Sequence, residues 1–313
     1  MKEITLSASD GAGVHCYVWP VAAAKATVQI AHGMGEHAKR YDQVAAALNQ
    51  AGYAVYANDH RGHGVTGAGQ LGYMGPDGWN RVIADMYELN LQIASEHPGL
   101  PRTLLGHSMG AGLAQQFVTR HGASIDALAL SGSAGFRESS PMGLLAKLLA
   151  RFEAWRLGPD QPSELLQKQL FGGANKPFDG PAANGFEWLT RDPDEVQKYI
   201  DDPACGFVIA AGSLCDMYAG IAAMQNTGGV ETIPKSLPIY VFSGAEDPVH
   251  GQERGLMRMV DAYRRAGIAQ VDYKLYPGAR HEVFNETNRD EVVGDLIGWL
   301  DQSLPRQELD RAV

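Results

Sequence analysis

The sequence predicts an α/β protein with a mostly parallel twisted sheet and helices on both faces. Short apolar runs typical of strands alternate with helical patterns along most of the chain. The alternation stops near residue 132 and resumes near residue 237. Glycine-rich clusters that contain His or Ser follow several of the predicted strands. Because strand and helix alternate, neighbouring strands are expected to be parallel, and the interruption indicates an insertion into one α/β layer.

The elements follow from the pattern in chain order. Residues 3–7 and 14–19 alternate apolar and polar side chains around an Asp-Gly turn, which predicts an opening hairpin. The later apolar runs predict strands at residues 27–31, 53–57, 103–105, 127–131, 238–243 and 271–276. Helical spacing predicts helices at residues 41–50, 79–96, 109–120, 251–266 and 289–300. We therefore assign residues 1–131 and 237–313 to an α/β core and residues 132–236 to a helical cap insertion.

The insertion contains eight scattered prolines and one strongly patterned helix, expected near residues 144–155. Its apolar side chains recur at steps of three and four, which places them on one helix face. They are Met142, Leu145, Leu148, Leu149, Phe152 and Trp155. We expect this face to pack against the sheet layer.

Composition excludes several classes of protein. The chain has 313 residues, 45% of them hydrophobic and 20% charged, and a net charge of −10, without any cluster of Lys and Arg. This balance disfavours nucleic acid and anionic lipid as partners, since both require a basic surface. Apolar runs are too short for a membrane span, and the start of the chain does not resemble a secretory signal. Three scattered cysteines fit reduced thiols, so we expect a cytoplasmic protein.

One pentapeptide in the chain has the pattern Gly-x-Ser-x-Gly. It is Gly106-His107-Ser108-Met109-Gly110, between a predicted strand and a predicted helix. This setting is typical of a sharp turn that exposes a nucleophilic serine, and the flanking glycines permit close backbone approach. Ser108 is therefore the predicted nucleophile. The alternative is an ordinary glycine-rich turn.

A serine nucleophile requires a base and a carboxylate that orients the base. Asp247 and His281 each follow a predicted strand, and the chain order Ser, Asp, His is the order found in α/β-hydrolases. Glu246 is an alternative to Asp247. The competing histidines are His97, His107, His121 and His250.

Two further clusters follow strands. In residues 32–37 (HGMGEH), the amide of Met34, together with that of Met109, is expected to form an oxyanion hole. The alternative for these glycines is a simple turn. Residues 58–64 (NDHRGHG) add histidines that, with His32, Glu36 and His37, raise a metal-site hypothesis. The spacing matches no common metal motif, so we predict no metal and assign Asp59 and Arg61 to ion pairs and hydrogen bonds that fix the loop.

Together the three glycine-rich clusters, the Asp247 loop and His281 resemble the monoacylglycerol lipase and lysophospholipase group of α/β-hydrolases, a serine aminopeptidase-type group. Residues 188–207 also resemble the cap of bacterial lysophospholipase-like members. The resemblance implies a serine carboxylic ester hydrolase with a mobile cap and no cofactor. It further implies cleavage of single-acyl glycerol esters, either monoacylglycerol or lysophospholipid, through an acyl-enzyme intermediate.

Other interpretations remain open. Similar caps line an acyl pocket or touch lipid surfaces, so the apolar helix face has an alternative role in transient lipid contact. Short-chain or aryl esters of the feruloyl type use the same chemistry. A metal-dependent hydrolase and a non-catalytic binding protein on this fold are further alternatives. Chelator sensitivity would favour the former, and an absence of turnover the latter.

Overall fold

Eight strands form one sheet in the computed structural model, which describes residues 1–136, 141–226, 229–251 and 253–305. The strands are β1 (Lys2–Ser7), β2 (Gly13–Trp19), β3 (Ala26–Ala31), β4 (Tyr53–Asn58), β5 (Arg102–His107), β6 (Ala127–Ser131), β7 (Ile239–Gly244) and β8 (Val271–Tyr276). Their order across the sheet is β1-β2-β4-β3-β5-β6-β7-β8. The pairs β1/β2 and β2/β4 are antiparallel and the other five are parallel. The predicted mostly parallel sheet is confirmed.

Helices cover both faces of this sheet. Those in the described residues are α1 (Asp42–Gln50), α2 (Gly78–Glu96), α3 (Met109–His121), α4 (Pro141–Leu157), α5 (Glu164–Phe171), α6 (Pro193–Asp201), α7 (Ala211–Asn226), α8 (Arg254–Arg265) and α9 (Arg289–Ser303). Successive strand residues point to opposite faces. In β6, Leu128 and Leu130 join the buried cluster beneath α2, α3 and α8, whereas Ala127 and Ala129 join the cluster beneath α1 and α9. The layered arrangement follows directly from this alternation.

Element boundaries differ from the sequence prediction by at most three residues. The start of α8 is one of the larger corrections, since the helix is predicted from Gly251 and observed from Arg254. Gly251 and Glu253 have φ values of +63° and +68°, in the left-handed region, so neither continues a right-handed helix. A 3₁₀ turn at Ala38–Tyr41 likewise delays the start of α1 by one residue. These exceptions arise from turn geometry rather than from hydrophobic periodicity.

The segment between β6 and β7 carries α4 to α7. Of these, α7 packs against α2 and α3, and its Leu214 and Met217 share one buried cluster with Trp79. A Cβ at Gly220 would overlap the Trp79 indole, so glycine permits this close approach. The assignment of residues 132–236 to a cap stays a prediction. Residues 137–140, 227–228, 252 and 306–313 of the predicted units lie outside the described residues.

The expectation that the apolar face of α4 packs against the sheet layer is wrong. Its large side chains are 50–80% exposed, and they are Leu144, Leu145, Leu148, Phe152 and Trp155. The inward contacts are made by Ala150 and Ala154 and by Leu149, the one described residue of the predicted face that packs inward. The side chain of Met142 lies outside the described residues. In the described part of the chain, no helix combines the length and the apolar character that crossing a membrane requires.

Candidate active site

The three predicted catalytic side chains meet at one edge of the sheet. Ser108, Asp247 and His281 follow β5, β7 and β8, whose carboxyl ends lie at that edge because the strands are parallel. The Nε2 atom of His281 lies 2.9 Å from Ser108 Oγ, and its Nδ1 atom lies 2.9 Å from Asp247 Oδ2. Both distances are hydrogen-bond distances. The structure thus brings together side chains separated by up to 173 positions in the chain.

Ser108 occupies a strained turn between β5 and α3. Its φ and ψ are 52° and −115°, which a residue with a Cβ rarely adopts, at a cost on the order of 1–3 kcal/mol. The turn is held by the Ser108 amide, which donates to the Ser131 carbonyl. A Cβ at Gly106 would overlap the Gly110 carbonyl, and one at Gly110 would overlap the Ala31 carbonyl. Both glycines of the motif are therefore required by the packing of this turn.

Asp247 is held in place independently of the histidine. Its Oδ2 accepts a hydrogen bond from the Ser243 hydroxyl at 2.7 Å, and its Oδ1 accepts one from the Val249 amide at 2.8 Å. Burial disfavours the charged carboxylate, but the charge of His281 and these hydrogen bonds outweigh burial, so the pKa of Asp247 is lowered. The alternative acid, Glu246, is exposed. The geometry therefore favours Asp247.

The environment of His281 sets its proton affinity. Burial disfavours the imidazolium, and the Asp247 carboxylate more than offsets this effect, so the pKa of His281 is raised above 6.5. The other candidate histidines have structural partners. His250 contacts the Gly244 carbonyl and the Glu253 amide, His97 contacts the Tyr56 hydroxyl, and His121 stacks on Tyr87. His107 lies against Ser131, and burial lowers its pKa to about 4.

The loop after β3 lies directly against the serine. A Cβ built at Gly33 would lie 3.3 Å from the Ser108 Cβ. The Gly33 amide donates to Glu36 Oε1 at 2.6 Å, which fixes the loop. Met109 is the first residue of α3. Met34 lies in this loop and Met109 begins the helix that follows Ser108, so the oxyanion hole formed by their amides stays a prediction.

A buried ion-pair cluster joins this loop to the histidine loop. The Arg40 guanidinium donates to Glu36 at 2.6 Å and to both carboxylate oxygens of Glu282 at 2.8 Å. The Tyr41 hydroxyl also donates to Glu36, and the Asn285 amide donates to Glu282. Sequence reasoning missed this cluster. The available signals were the four-residue spacing of Glu36 and Arg40 and the position of Glu282 next to His281.

The segment before α6 contacts the histidine loop as well. The amides of His281 and Glu282 donate to the carbonyls of Trp188 and Leu189, at 3.3 and 2.7 Å. The indole of Trp188 lies 5.0 Å from the His281 imidazole, measured between ring centroids, and is itself almost fully buried. Trp188 thus covers the outer side of the histidine. Sequence analysis identified this stretch by resemblance but did not place it beside His281.

The histidines behind the metal hypothesis do not converge on one point. His32 and His60 stack with their ring centroids 4.1 Å apart, and His32 Nε2 accepts a hydrogen bond from the His60 amide. Burial lowers the pKa of His60 to about 3 and that of His63 to about 4, so both are neutral. His37 instead lies near Asp202 and Cys205, in the one group of three or more potential metal ligands found among the described residues.

Asp59 and Arg61 fix the loop after β4. Asp59 accepts hydrogen bonds from the amides of Ala38 and Val65. Arg61 forms ion pairs with Asp10 and Asp85 at 2.7 Å. The local structural role predicted for Asp59 and Arg61 is what the structure shows.

The fold and the site together define the class of protein: an α/β-hydrolase in which Ser108, His281 and Asp247 meet at the carboxyl edge of the sheet. Residues 22–288 match the family described as serine aminopeptidase, S33, and the chain belongs to this family. The predicted resemblance to this group is confirmed, and the chain is a serine ester hydrolase.

Known proteins are similar to this chain over almost its whole length. The monoacylglycerol lipase of Mycolicibacterium smegmatis (strain ATCC 700084 / mc(2)155) is 33% identical over 312 residues, which cover 96% of each chain. A thermostable carboxyl esterase from Bacillus coagulans, solved in complex with glycerol, is 28% identical with a TM-score of 0.88, covering 96% of this chain and 98% of its own. A lipase solved in an open form is 31% identical with a TM-score of 0.86, covering 97% and 99%.

Proposed function

We propose that the protein hydrolyses monoacylglycerols through an acyl-enzyme intermediate. The proposal is supported by two hydrogen bonds, each 2.9 Å long, that connect Ser108 to His281 and His281 to Asp247. An isolated serine hydroxyl is a weak nucleophile at neutral pH, and this chain supplies the base that activates it. The proposed reaction requires no metal and no cofactor.

The geometry supports a sequence of proton transfers. Ser108 Oγ attacks the ester carbonyl while His281 Nε2 takes the hydroxyl proton, and Asp247 stabilises the imidazolium that forms. The amides of Met34 and Met109 hold the negative charge that develops on the carbonyl oxygen; removal of one such donor typically costs about 2.7–4 kcal/mol of transition-state stabilisation. His281 then protonates the departing glycerol oxygen. Water repeats the cycle on the acyl-enzyme and releases the fatty acid.

The substrate is proposed from the relatives. The Mycolicibacterium smegmatis protein is named a monoacylglycerol lipase, and so is the human relative, a monoglyceride lipase that is 26% identical over 300 residues. The glycerol bound by the Bacillus coagulans esterase fits the leaving group of such an ester. Lysophospholipids and short-chain or aryl esters require the same bond cleavage, so the substrate panel must include them.

Turnover of monoacylglycerols, lysophospholipids and short-chain aryl esters by purified protein tests the proposal. We expect monoacylglycerols to give the highest kcat/KM. A fluorophosphonate should abolish turnover, whereas a chelator should not. Ser108→Ala should remove turnover while the protein stays folded, and Ser124→Ala, outside the site, should keep parental activity. Equal activity of Ser108→Ala and parent would contradict the mechanism. A higher kcat/KM for a lysophospholipid or an aryl ester would show that monoacylglycerol is not the preferred substrate.

The exposed face of α4 supports a proposed cap function at residues 132–236. This face presents large apolar side chains to solvent, and the net charge of −10 disfavours anionic lipid. We propose transient contact with a neutral or zwitterionic lipid surface, where single-acyl glycerol esters collect. Co-sedimentation with phosphatidylcholine vesicles should fall in Trp155→Ala and not in Leu91→Ala, on the exposed side of α2. Equal sedimentation of both variants and the parent would contradict the contact.

A cytoplasmic location is proposed from the thiols. Cys16, Cys205 and Cys215 are all free in the structure. Free thiols persist where glutathione keeps them reduced. Fractionation of cells that produce the protein should recover it with cytoplasmic markers, and recovery with extracellular or envelope markers would refute the assignment.

A further inference from the structure

A cluster of His37, Asp202 and Cys205 lies outside the proposed catalytic machinery. One nitrogen, one oxygen and one sulfur atom of these side chains all lie within 4.8 Å of one another. The closest pair is His37 Nε2 and Asp202 Oδ2, at 2.9 Å. The side chains of His37 and Asp202 are partly exposed, so an ion from solvent can reach the cluster. Imidazole, carboxylate and thiolate are all zinc ligands.

Hydrogen bonds hold the backbone on both sides of this cluster. The Gly206 amide donates to the Gly35 carbonyl at 2.9 Å, and the Tyr199 hydroxyl donates to the same carbonyl at 3.0 Å. The Cys205 amide donates to the Asp202 carbonyl at 2.9 Å. The loop that carries His37 and the segment that carries the other two ligands are therefore fixed relative to each other. A site fixed in this way loses little conformational entropy when an ion binds.

We propose that His37, Asp202 and Cys205 form a zinc-binding site, with water in the fourth coordination position. Zinc bonds of about 2.0–2.3 Å in a tetrahedron separate ligand atoms by about 3.4–3.6 Å. The His37–Asp202 pair must open by roughly 0.5 Å, and no pair in the cluster has to close by more than roughly 1.4 Å. Side-chain rotation supplies movements of this size. The thiolate ligand favours zinc over magnesium or calcium.

The charged groups around the cluster favour a cation. Asp202 supplies a carboxylate whose Oδ2 atom lies 2.9 Å from His37 Nε2. Glu36, Glu282 and Arg40 also act on Cys205, and with Asp202 they sum to two negative charges. Binding replaces the S–H bond of Cys205 with a Zn–S bond and releases one proton to solvent.

Cobalt titration of the full-length, reduced protein tests the site, because Co²⁺ bound to a thiolate gives a sulfur-to-metal charge-transfer band. We expect this band in the parent and in Cys215→Ser, a second partly buried cysteine that serves as the matched control. Zn²⁺ should abolish the band at one equivalent. Cys205→Ser should lose the band, and its zinc affinity should fall at least about tenfold, since loss of even an outer-sphere partner typically costs 10–100-fold.

Asp202→Asn provides a second variant, because Asp202 is partly exposed and its replacement should not prevent folding. This variant should keep the sulfur band and bind zinc more weakly. Circular dichroism verifies that each variant is folded. A band of equal strength in Cys205→Ser, loss of the band in Cys215→Ser, or no band in the folded parent would each overturn the proposal. The readout is binding, so it does not depend on whether the protein hydrolyses monoacylglycerols.

Discussion

Replacement of Arg40 by methionine should destabilise the protein and disturb the site together. The Arg40 side chain is 11% exposed, and it donates three hydrogen bonds, of 2.6, 2.8 and 2.8 Å, to the buried carboxylates of Glu36 and Glu282. Methionine keeps much of the side-chain volume but removes the charge and the donors. Two buried carboxylates then lose their cation. Removal of one partner from a buried ion pair typically costs about 3–5 kcal/mol, because the remaining charge is uncompensated.

This free energy converts into a measurable shift in melting temperature. Unfolding entropy is about 2.1 cal/mol/K per residue, or about 0.66 kcal/mol/K for a chain of this length. The Tm of Arg40→Met should therefore fall by about 5–8 °C. Lys274→Met is the matched control, because Lys274 also pairs with two carboxylates, those of Glu291 and Asp295, but at the surface. Surface pairs contribute up to about 1 kcal/mol, so its Tm should fall by less than about 2 °C.

The pH dependence of the Arg40→Met effect gives an independent test. In the parent, Arg40 outweighs burial and holds the pKa of Glu282 below its ordinary value. A lowered pKa contributes stability above the ordinary value of about 4.3 and loses it as the pH falls further. The stability difference between parent and Arg40→Met should therefore narrow below about pH 4.3. Calorimetry at several pH values measures it. A Tm unchanged at pH 7, or a difference that widens in acid, would refute the reasoning.

Three further predictions concern the serine, its partners and the turn. Asp247→Asn should lower kcat by roughly 10⁴ by stabilising the wrong tautomer of His281, and in aryl-ester assays a loss below about tenfold would contradict the role. The midpoint of the acid limb of kcat/KM should lie above about pH 6.5 in the parent, because the Asp247 carboxylate raises the pKa of His281. In Asp247→Asn this midpoint should move to lower pH. The same midpoint in both proteins would contradict the assignment. Gly110→Ala should destabilise the folded protein by at least about 1–3 kcal/mol, because the added Cβ would overlap the Ala31 carbonyl. Gly298→Ala on α9 is the control, because the added Cβ meets open space and the change should be neutral or stabilising. Equal Tm values for the two variants would contradict the steric argument.

The sheet and the three site residues could be predicted from sequence because each rests on a local pattern. Apolar runs of three to six residues mark β3 to β7, and glycine clusters mark the turns that follow several of them. Parallel strands bring their carboxyl ends to one edge, so the topology alone places Ser108, Asp247 and His281 near one another. The hydrogen-bond distances among them then follow from turn geometry. The sequence does not state that geometry.

The ion-pair cluster could not be predicted, because its contacts join distant parts of the chain. Arg40 and Glu282 are separated by 242 positions, and no periodicity links them. The α4 helix was predicted from a local pattern, but the partner of its apolar face was not. Its apolar spacing correctly predicted a helix with one apolar face, yet periodicity does not say whether that face meets the protein or solvent. The packing of α4 on α7, which itself packs on α2 and α3, decides which side of α4 is covered.

The inserted segment has two parts with different attachments. Residues 188–206 are joined to the site by backbone hydrogen bonds at both ends of the stretch. The carbonyls of Trp188 and Leu189 accept from the histidine loop, and the Gly206 amide donates to the Gly35 carbonyl. Displacement of this stretch would break hydrogen bonds that position His281 and the loop of Met34. The large side chains on the exposed face of α4 point to solvent and do not position any of the proposed catalytic residues. A cap movement that preserves the geometry of the site must therefore leave residues 188–206 in place.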